Sequence, residues 1–229
     1  MRRGLLLAAV CAASLAAAGS AGAATRECNG LQICVPVAGP WVLAPSRVET
    51  QYRLACPKNF TVGGLDAELT SRALDVVFRA TLGSPVNPGI STSTAAVFLG
   101  RLATGSDPAA TFRPHIGCIP ATSGGQRVPT AYHVFPPGKP TIVRSSQIAV
   151  RAGATRRVTR ACKAGESLVS ASHAIGFYTN APPGRTLATA VHATQRTVHG
   201  HVMVVVRGGA AVRGVRAVVQ LDLVCGGGQ

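Results

Sequence analysis

Few side chains in this sequence can do chemistry, and their spacing limits what that chemistry could be. The 229 residues include eight carboxylates, six histidines and seven cysteines. Asp66 and Glu68 fall on one face of a strand, about 7 Å apart. A carboxylate pair can serve as acid and base on a glycosidic bond when the two groups flank it. Side by side on one strand they lack an opposing wall, so a solvated strand face is the expected arrangement. His199 and His201, with His192 from a neighbouring strand, could offer imidazoles to a metal. Gly200 between them marks a hairpin turn instead, and no C-x-x-C pair occurs, so neither metal nor cofactor is expected. Ser172 and His173 are adjacent and point to opposite faces. Neither a G-x-S-x-G elbow nor a phosphate-binding loop is present. His173 falls on an apolar face, as a core histidine bonded to backbone, and His115 alternates outward beside Arg113. No catalytic residue is expected.

The cysteines read as staples. Setting aside Cys11, six remain: Cys28, Cys34, Cys56, Cys118, Cys162 and Cys225. Cys56 to Cys118 spans 62 positions and Cys162 to Cys225 spans 63, so shifts of 106 and 107 superpose the two pairs. That repetition predicts a tandem duplication. Leu65, Ala67 and Leu69 alternate in the first copy, as Ala171, His173 and Ile175 do in the second. Phe112, Pro114, Ile116 and Cys118 likewise match Val219, Leu221, Leu223 and Cys225. Alternation places each closing cysteine on the buried side of a strand. The expected disulfides are Cys56–Cys118 and Cys162–Cys225, with Cys28–Cys34 as a local loop. Closing some 60 residues is worth roughly 4 kcal/mol in the chain-entropy model. With aromatic residues at only 4%, the core must be built from smaller side chains, which makes such staples useful.

The elements that would position these residues form an all-β chain. Met1-Arg2-Arg3, an apolar run and Ala21-Gly22-Ala23 describe a secretory signal peptide over residues 1–23. Val10 and Ala8 do not make a lipobox for Cys11. Export leaves a secreted, extracellular or envelope-associated chain with no membrane segment once the signal is cleaved. A lead over 24–40 is followed by a first β module at 41–120, a linker at 121–139, a second module at 140–225 and a tail at 226–229. Strands are predicted at 48–56, 60–69, 75–82, 95–101 and 111–118. In the second module they fall at 141–150, 156–162, 167–178, 186–198, 201–207 and 215–225. Short strands separated by Gly and Pro turns predict two tandem disulfide-closed β-sandwich or barrel-like modules.

The formal charge is +15, carried by 20 Arg and 3 Lys against eight acids. Arg151, Arg156, Arg157 and Arg160, with Arg144 and Lys163, form a candidate anion-binding stripe at the entry to the second module. Aromatic residues are too few for base-stacking platforms, so no specific nucleic-acid partner is expected.

Cys56-Pro57-Lys58-Asn59 with Val62-Gly63-Gly64, and Cys162-Lys163-Ala164-Gly165 with Leu168-Val169, resemble a pattern in exported proteins of high-GC Gram-positive bacteria. There a Cys-Pro-x-Gly element leads into a Gly-Gly strand, and the module ends on a strand with a second cysteine. Asn59 stands where that pattern has Gly, and the second copy lacks the Pro and Gly-Gly. The resemblance implies an extracellular β module and no reaction. The expectation is a non-enzymatic module that binds or structures something at the cell surface, an anionic envelope polymer or a surface protein. A secreted hydrolase of unrecognised type, using Asp66, Glu68 and His115, is the alternative. A third reading is a protein-binding module acting through the proline-rich loop at 83–89.

Overall fold

Alternating apolar residues, β-branched runs and Gly/Pro turns give thirteen strands in the computed structural model, which describes residues 25–44, 48–80, 93–103, 107–121 and 141–227. The signal segment, the 83–89 loop and all of the linker but Ala121 lie outside the described residues. The strands are β1 (Val35–Ala38), β2 (Trp41–Leu43), β3 (Thr50–Ala55), β4 (Phe60–Leu69), β5 (Leu74–Arg79), β6 (Ala95–Leu102) and β7 (Thr111–Pro120). The second half supplies β8 (Thr141–Ala149), β9 (Thr155–Ala161), β10 (Ser167–Tyr178), β11 (Val191–Val198), β12 (His201–Gly208) and β13 (Arg216–Gly226). A one-turn helix, α1 (Arg185–Ala188), occupies residues that the sequence assigns to the start of a strand at 186–198. Pro182-Pro183-Gly184 just before it redirects the chain, and the strand begins only at Val191.

The two halves share one strand plan. In the first, β3–β6–β5 form a small flanking sheet; in the second, β9–β12–β11 do. The strands β4 and β10 pair antiparallel with β7 and β13, and each pairing slips by one residue at the same place, Gly63 in one and Val169 in the other. Those bulges are 106 positions apart, the offset of the opening cysteines Cys56 and Cys162. The other edge of β7 takes β1 and β2, and the other edge of β13 takes β8. The 24–40 segment is thus no detached lead: it holds β1, which occupies the place that β8 fills in the second half. Disulfides Cys56–Cys118 and Cys162–Cys225 each tie the end of a flanking-sheet strand to the central sheet, and Cys28–Cys34 closes the N-terminal loop.

The halves are not separate modules in series. The three-residue strand β2 pairs with β7 through Val42–Phe112 and Leu43–Thr111, and with β10 through Val42–Gly176 and Trp41–Phe177. A single seven-stranded sheet therefore runs through both. Paired residues share a face, so Val42, Phe112 and Ala174 lie on one side while Trp41, Leu43 and Phe177 lie on the other. The first core gathers on the former side, with Tyr52 and Phe98 from the flanking sheet. The second core gathers on the latter, around Phe177, Val202, Val204 and Leu221. The two flanking sheets thus sit on opposite faces of the shared sheet.

Each half of the shared sheet is left with one face that its own flanking sheet does not cover. Over the second half, β3 fills that role. Gln220, 3% exposed, accepts from the backbone N–H of Arg53 at 2.6 Å and donates to its carbonyl at 2.9 Å. The amide thereby stands in for the strand neighbour that the β3 edge lacks. Gln220→Ala is expected to leave both backbone groups unpartnered, costing roughly 1–3 kcal/mol each where water cannot reach them. Urea denaturation of the purified protein measures this, and a change below about 0.5 kcal/mol would show that the contact does not hold the halves together.

Candidate functional site

Two groups of polar side chains stand out, one on each half. The first lies over the uncovered face of β4 and β7. Asp66, Glu68 and His115 share that face by register, since Asp66 pairs with His115 and Glu68 with Arg113. The N-terminal loop folds over them, and Gly64 and Gly117 lie against the carbonyl of Glu27, where a Cβ on either would overlap it. Glu27 is 4% exposed and its Oε1 lies 3.7 Å from Nδ1 of His115. On the other side of the ring, Nε2 lies 3.0 Å from Oε1 of Glu68. Asp66 accepts the backbone N–H of Arg26 at 2.7 Å and that of Ala67 at 2.8 Å.

This corrects the expectation of a solvated carboxylate face. The three residues do come together, joined by Glu27, but as the seat of the N-terminal loop. His115 is buried beneath it, and both oxygens of Asp66 are occupied by backbone donors. Glu68 is half-buried beside an open groove that Arg26, Asn29, Trp41 and Asp66 also line. The arrangement offers a groove one outward carboxylate, not a flanking pair.

The second group is basic. In β12, Val202, Val204 and Val206 are buried, which turns His201, Met203, Val205 and Arg207 outward. Register carries that outer face across the sheet: Arg207 stands beside His192 and Thr155, Val205 beside Arg157 and Thr194, and Met203 beside Arg196 and Thr159. Arg157, Arg196 and Arg207 are all exposed, and β9, β11 and β12 contain no Asp or Glu. Arg156 and Arg160 flank buried Val158 on the inward side of β9, yet both are exposed because β9 is the sheet's edge. Arg160 turns back to donate to the carbonyl of Thr159 at 3.0 Å. Arg151 and Lys163 are exposed at the two ends of this strand.

Arg144 does not join the stripe. It donates through Nε to Glu166 at 2.8 Å and makes a second contact through Nη2. Glu166 also accepts the backbone N–H of Lys163 at 2.9 Å. The Arg144 hydrogen bond, then the Lys163 amide, hold the Glu166 carboxyl below the usual carboxylate range. Arg196 and Arg207 are members of the basic face that the stripe left out. The alternation of the 201–207 strand could have revealed Arg207, whereas Arg196 needed its register with β12.

Two further histidines, His199 and His173, have structural places. His199 and Gly200 take φ values of 49° and 76°, the left-handed pair that a two-residue hairpin between β11 and β12 requires. His173 is half-buried and bonds the side chain of Gln195 at 3.1 Å, not a backbone group. Cys162, Glu166 and Cys225 cluster closely, but both sulfurs are committed to a disulfide.

The second half has Asp222 where the first has His115, and burial raises its carboxyl above the usual range, opposed by a Ser145 hydrogen bond and the charge of Arg53. Ionised, Asp222 opposes folding; the native state takes up its proton at higher pH than the unfolded chain does. Wild-type stability should therefore rise relative to Asp222→Asn as pH falls through the raised value toward the ordinary Asp range. The variant is expected to melt higher at pH 7, by about 2–4 °C per kcal/mol, with the gap closing near pH 4. Thermal melts across that range check it, and a constant difference would contradict it.

A scan against protein-family models and searches of curated proteins and solved structures found no match for this chain.

Proposed function

We propose that this chain is an exported, non-enzymatic binding module, built from a tandem duplication, that holds a linear anionic polymer of the cell envelope. The observation that carries the reading is the acid-free outer face of β9, β11 and β12, where Arg157, Arg196 and Arg207 stand exposed with Arg156 and Arg160 at its rim. Charge is concentrated in this half. Residues 141–227 hold eleven Arg and Lys against two acids, while residues 25–121 hold eight against six. The two acids of the second half are Glu166, paired with Arg144, and buried Asp222, so neither neutralises the face.

The face spreads one exposed arginine on each of its three strands, Arg157 on β9, Arg196 on β11 and Arg207 on β12, which suits an extended polymer better than a compact anion. Guanidinium groups bind phosphate or sulfate oxygens through paired N–H donors. Three disulfides suit an oxidising compartment, and no helix among the described residues is long and apolar enough to cross a membrane. Residues 1–23 have the composition of an export signal.

The protein is expected to bind heparin and long-chain polyphosphate columns and to elute as salt rises. Replacing Arg157, Arg196 and Arg207 together by Gln should lower the eluting salt well beyond the change caused by Arg144→Gln, which removes a cation lying outside the face. The slope of log affinity against log salt should shrink by about 0.7–0.9 for each cation that meets a phosphate. Equal elution of the triple and single variants would refute the reading.

A further inference from the structure

The sheet that runs through both halves ends on β8. Beyond β13, no strand among the described residues pairs with it. Ile142, Val143, Ser145, Gln147 and Ala149 are all exposed. Val150 donates its N–H to the carbonyl of Ala217 at 3.0 Å, in the register that sets Ala149 against Val218. Successive residues of a strand direct their N–H and C=O to alternate edges. Thr141, Val143, Ser145, Gln147 and Ala149 therefore direct theirs away from β13, along the outer edge.

The other described edges each carry a device that discourages pairing. On β9 these are Arg156, Arg157 and Arg160, on β11 Arg196, and on β5 Asp75 and Arg79, all exposed. The strand β4 is bulged at Gly63, and its Val62 N–H bonds the carbonyl of Ser93 at 2.9 Å. Gln220 occupies β3 at Arg53, and Pro36 interrupts β1. The strand β8 has no proline, lysine or bulge, and its one charged residue, Arg144, is tied to Glu166 within the chain. Ile142 and Val143 stand 45% and 39% exposed on it.

We propose that β8 is a dimer interface, at which two copies of this chain pair antiparallel, edge to edge, about a two-fold axis at Ser145. That register uses the whole strand and sets outward-directed residues against one another. Ser145 faces the partner's Ser145, Val143 the partner's Gln147, and Thr141 the partner's Ala149. Between them, exposed Ile142 comes opposite the partner's Ile148. Ser146, whose Oγ is buried without a hydrogen-bond partner in its own chain, comes opposite the partner's Arg144. Glu166 takes Nε and Nη2 of that arginine and leaves its Nη1 donors. A second copy fits this edge on charge as well. The chain carries +15, and β8 is an edge where the local charge is compensated. The interface goes beyond polymer binding and uses none of the exposed arginines of the basic face.

The test is sedimentation equilibrium of the full mature chain in about 0.3 M salt, which screens the like charges of the two copies. A concentration-dependent dimer is expected. Val143→Lys places a charge on the open edge and should give a monomer, with an unchanged melting temperature showing the fold intact. Two cysteine variants read the register under mild oxidation. Ser145→Cys should cross-link into a covalent dimer, because facing residues of a hydrogen-bonded pair lie about 5.5 Å apart, within disulfide reach. Ala149→Cys should not, because its counterpart lies at the far end of the paired strands. A monomer at every concentration would overturn the proposal. So would a dimer that Val143→Lys leaves intact, or equal cross-linking of the two cysteine variants.

Discussion

The structure depends on one short strand being hydrogen-bonded along both edges. Trp41, Val42 and Leu43 close the first half's part of the shared sheet and open the second's. Antiparallel pairing reverses strand direction, so the second half meets the first turned over about an axis lying across the strands. The same strand plan then presents its flanking sheet to the opposite side. Side-chain alternation makes this unavoidable. Once Val42 faces one core, Trp41 and Leu43 must face away from it.

Turning one half over leaves two uncovered faces, and different parts of the chain cover them. The second half is covered by β3 through Gln220, with Asp222 buried beneath. Over the first half, the loop around Cys28–Cys34 lies on the uncovered face instead, held by Glu27, Asp66 and His115. The ends of the sheet differ for a related reason. In β10, Gly176 and Phe177 make the joint, and their counterparts in β4 by the 106 offset are Thr70 and Ser71. The strand β4 stops at Leu69, and Thr70 bonds through its N–H and hydroxyl to the carbonyl of Thr111. The first half therefore lacks the edge residues with which a further copy could repeat the joint.

Local pattern was readable in the sequence, and long-range placement was not. Strand β4 is bounded as its alternation predicts, and the cysteine intervals of 62 and 63 reflect equivalent staples in the two halves. The strand β1 escaped notice because Pro36, Gly39 and Pro40 interrupt any period, and its partner β7 lies some 80 positions away. The burial of His115 was likewise hidden. Alternation correctly turned it away from the sandwich core, but nothing local says that a loop from residue 27 returns to cover that face. The basic face was legible as charge on edge strand β9. Its extension to Arg207 was open to the alternation of the 201–207 strand, its extension to Arg196 required the register with β12, and the removal of Arg144 required knowing that the turn after Cys162 brings Glu166 beside it.

The uneven charge of the two halves follows from how their exposed faces are covered. A loop that covers a sheet face needs acceptors for its backbone N–H groups and a partner for each buried polar side chain. In the first half, Asp66, Glu68 and Glu27 meet that need, so three of the chain's eight acids lie in one cluster. In the second half a strand edge and a neutral glutamine do the covering, and carboxylates are not required for it. The two acids that remain there are taken up by Arg144 and by burial. The exposed arginines of β9, β11 and β12 consequently have no acidic neighbour on their own strands. The positive face lies in the half that is covered without acids.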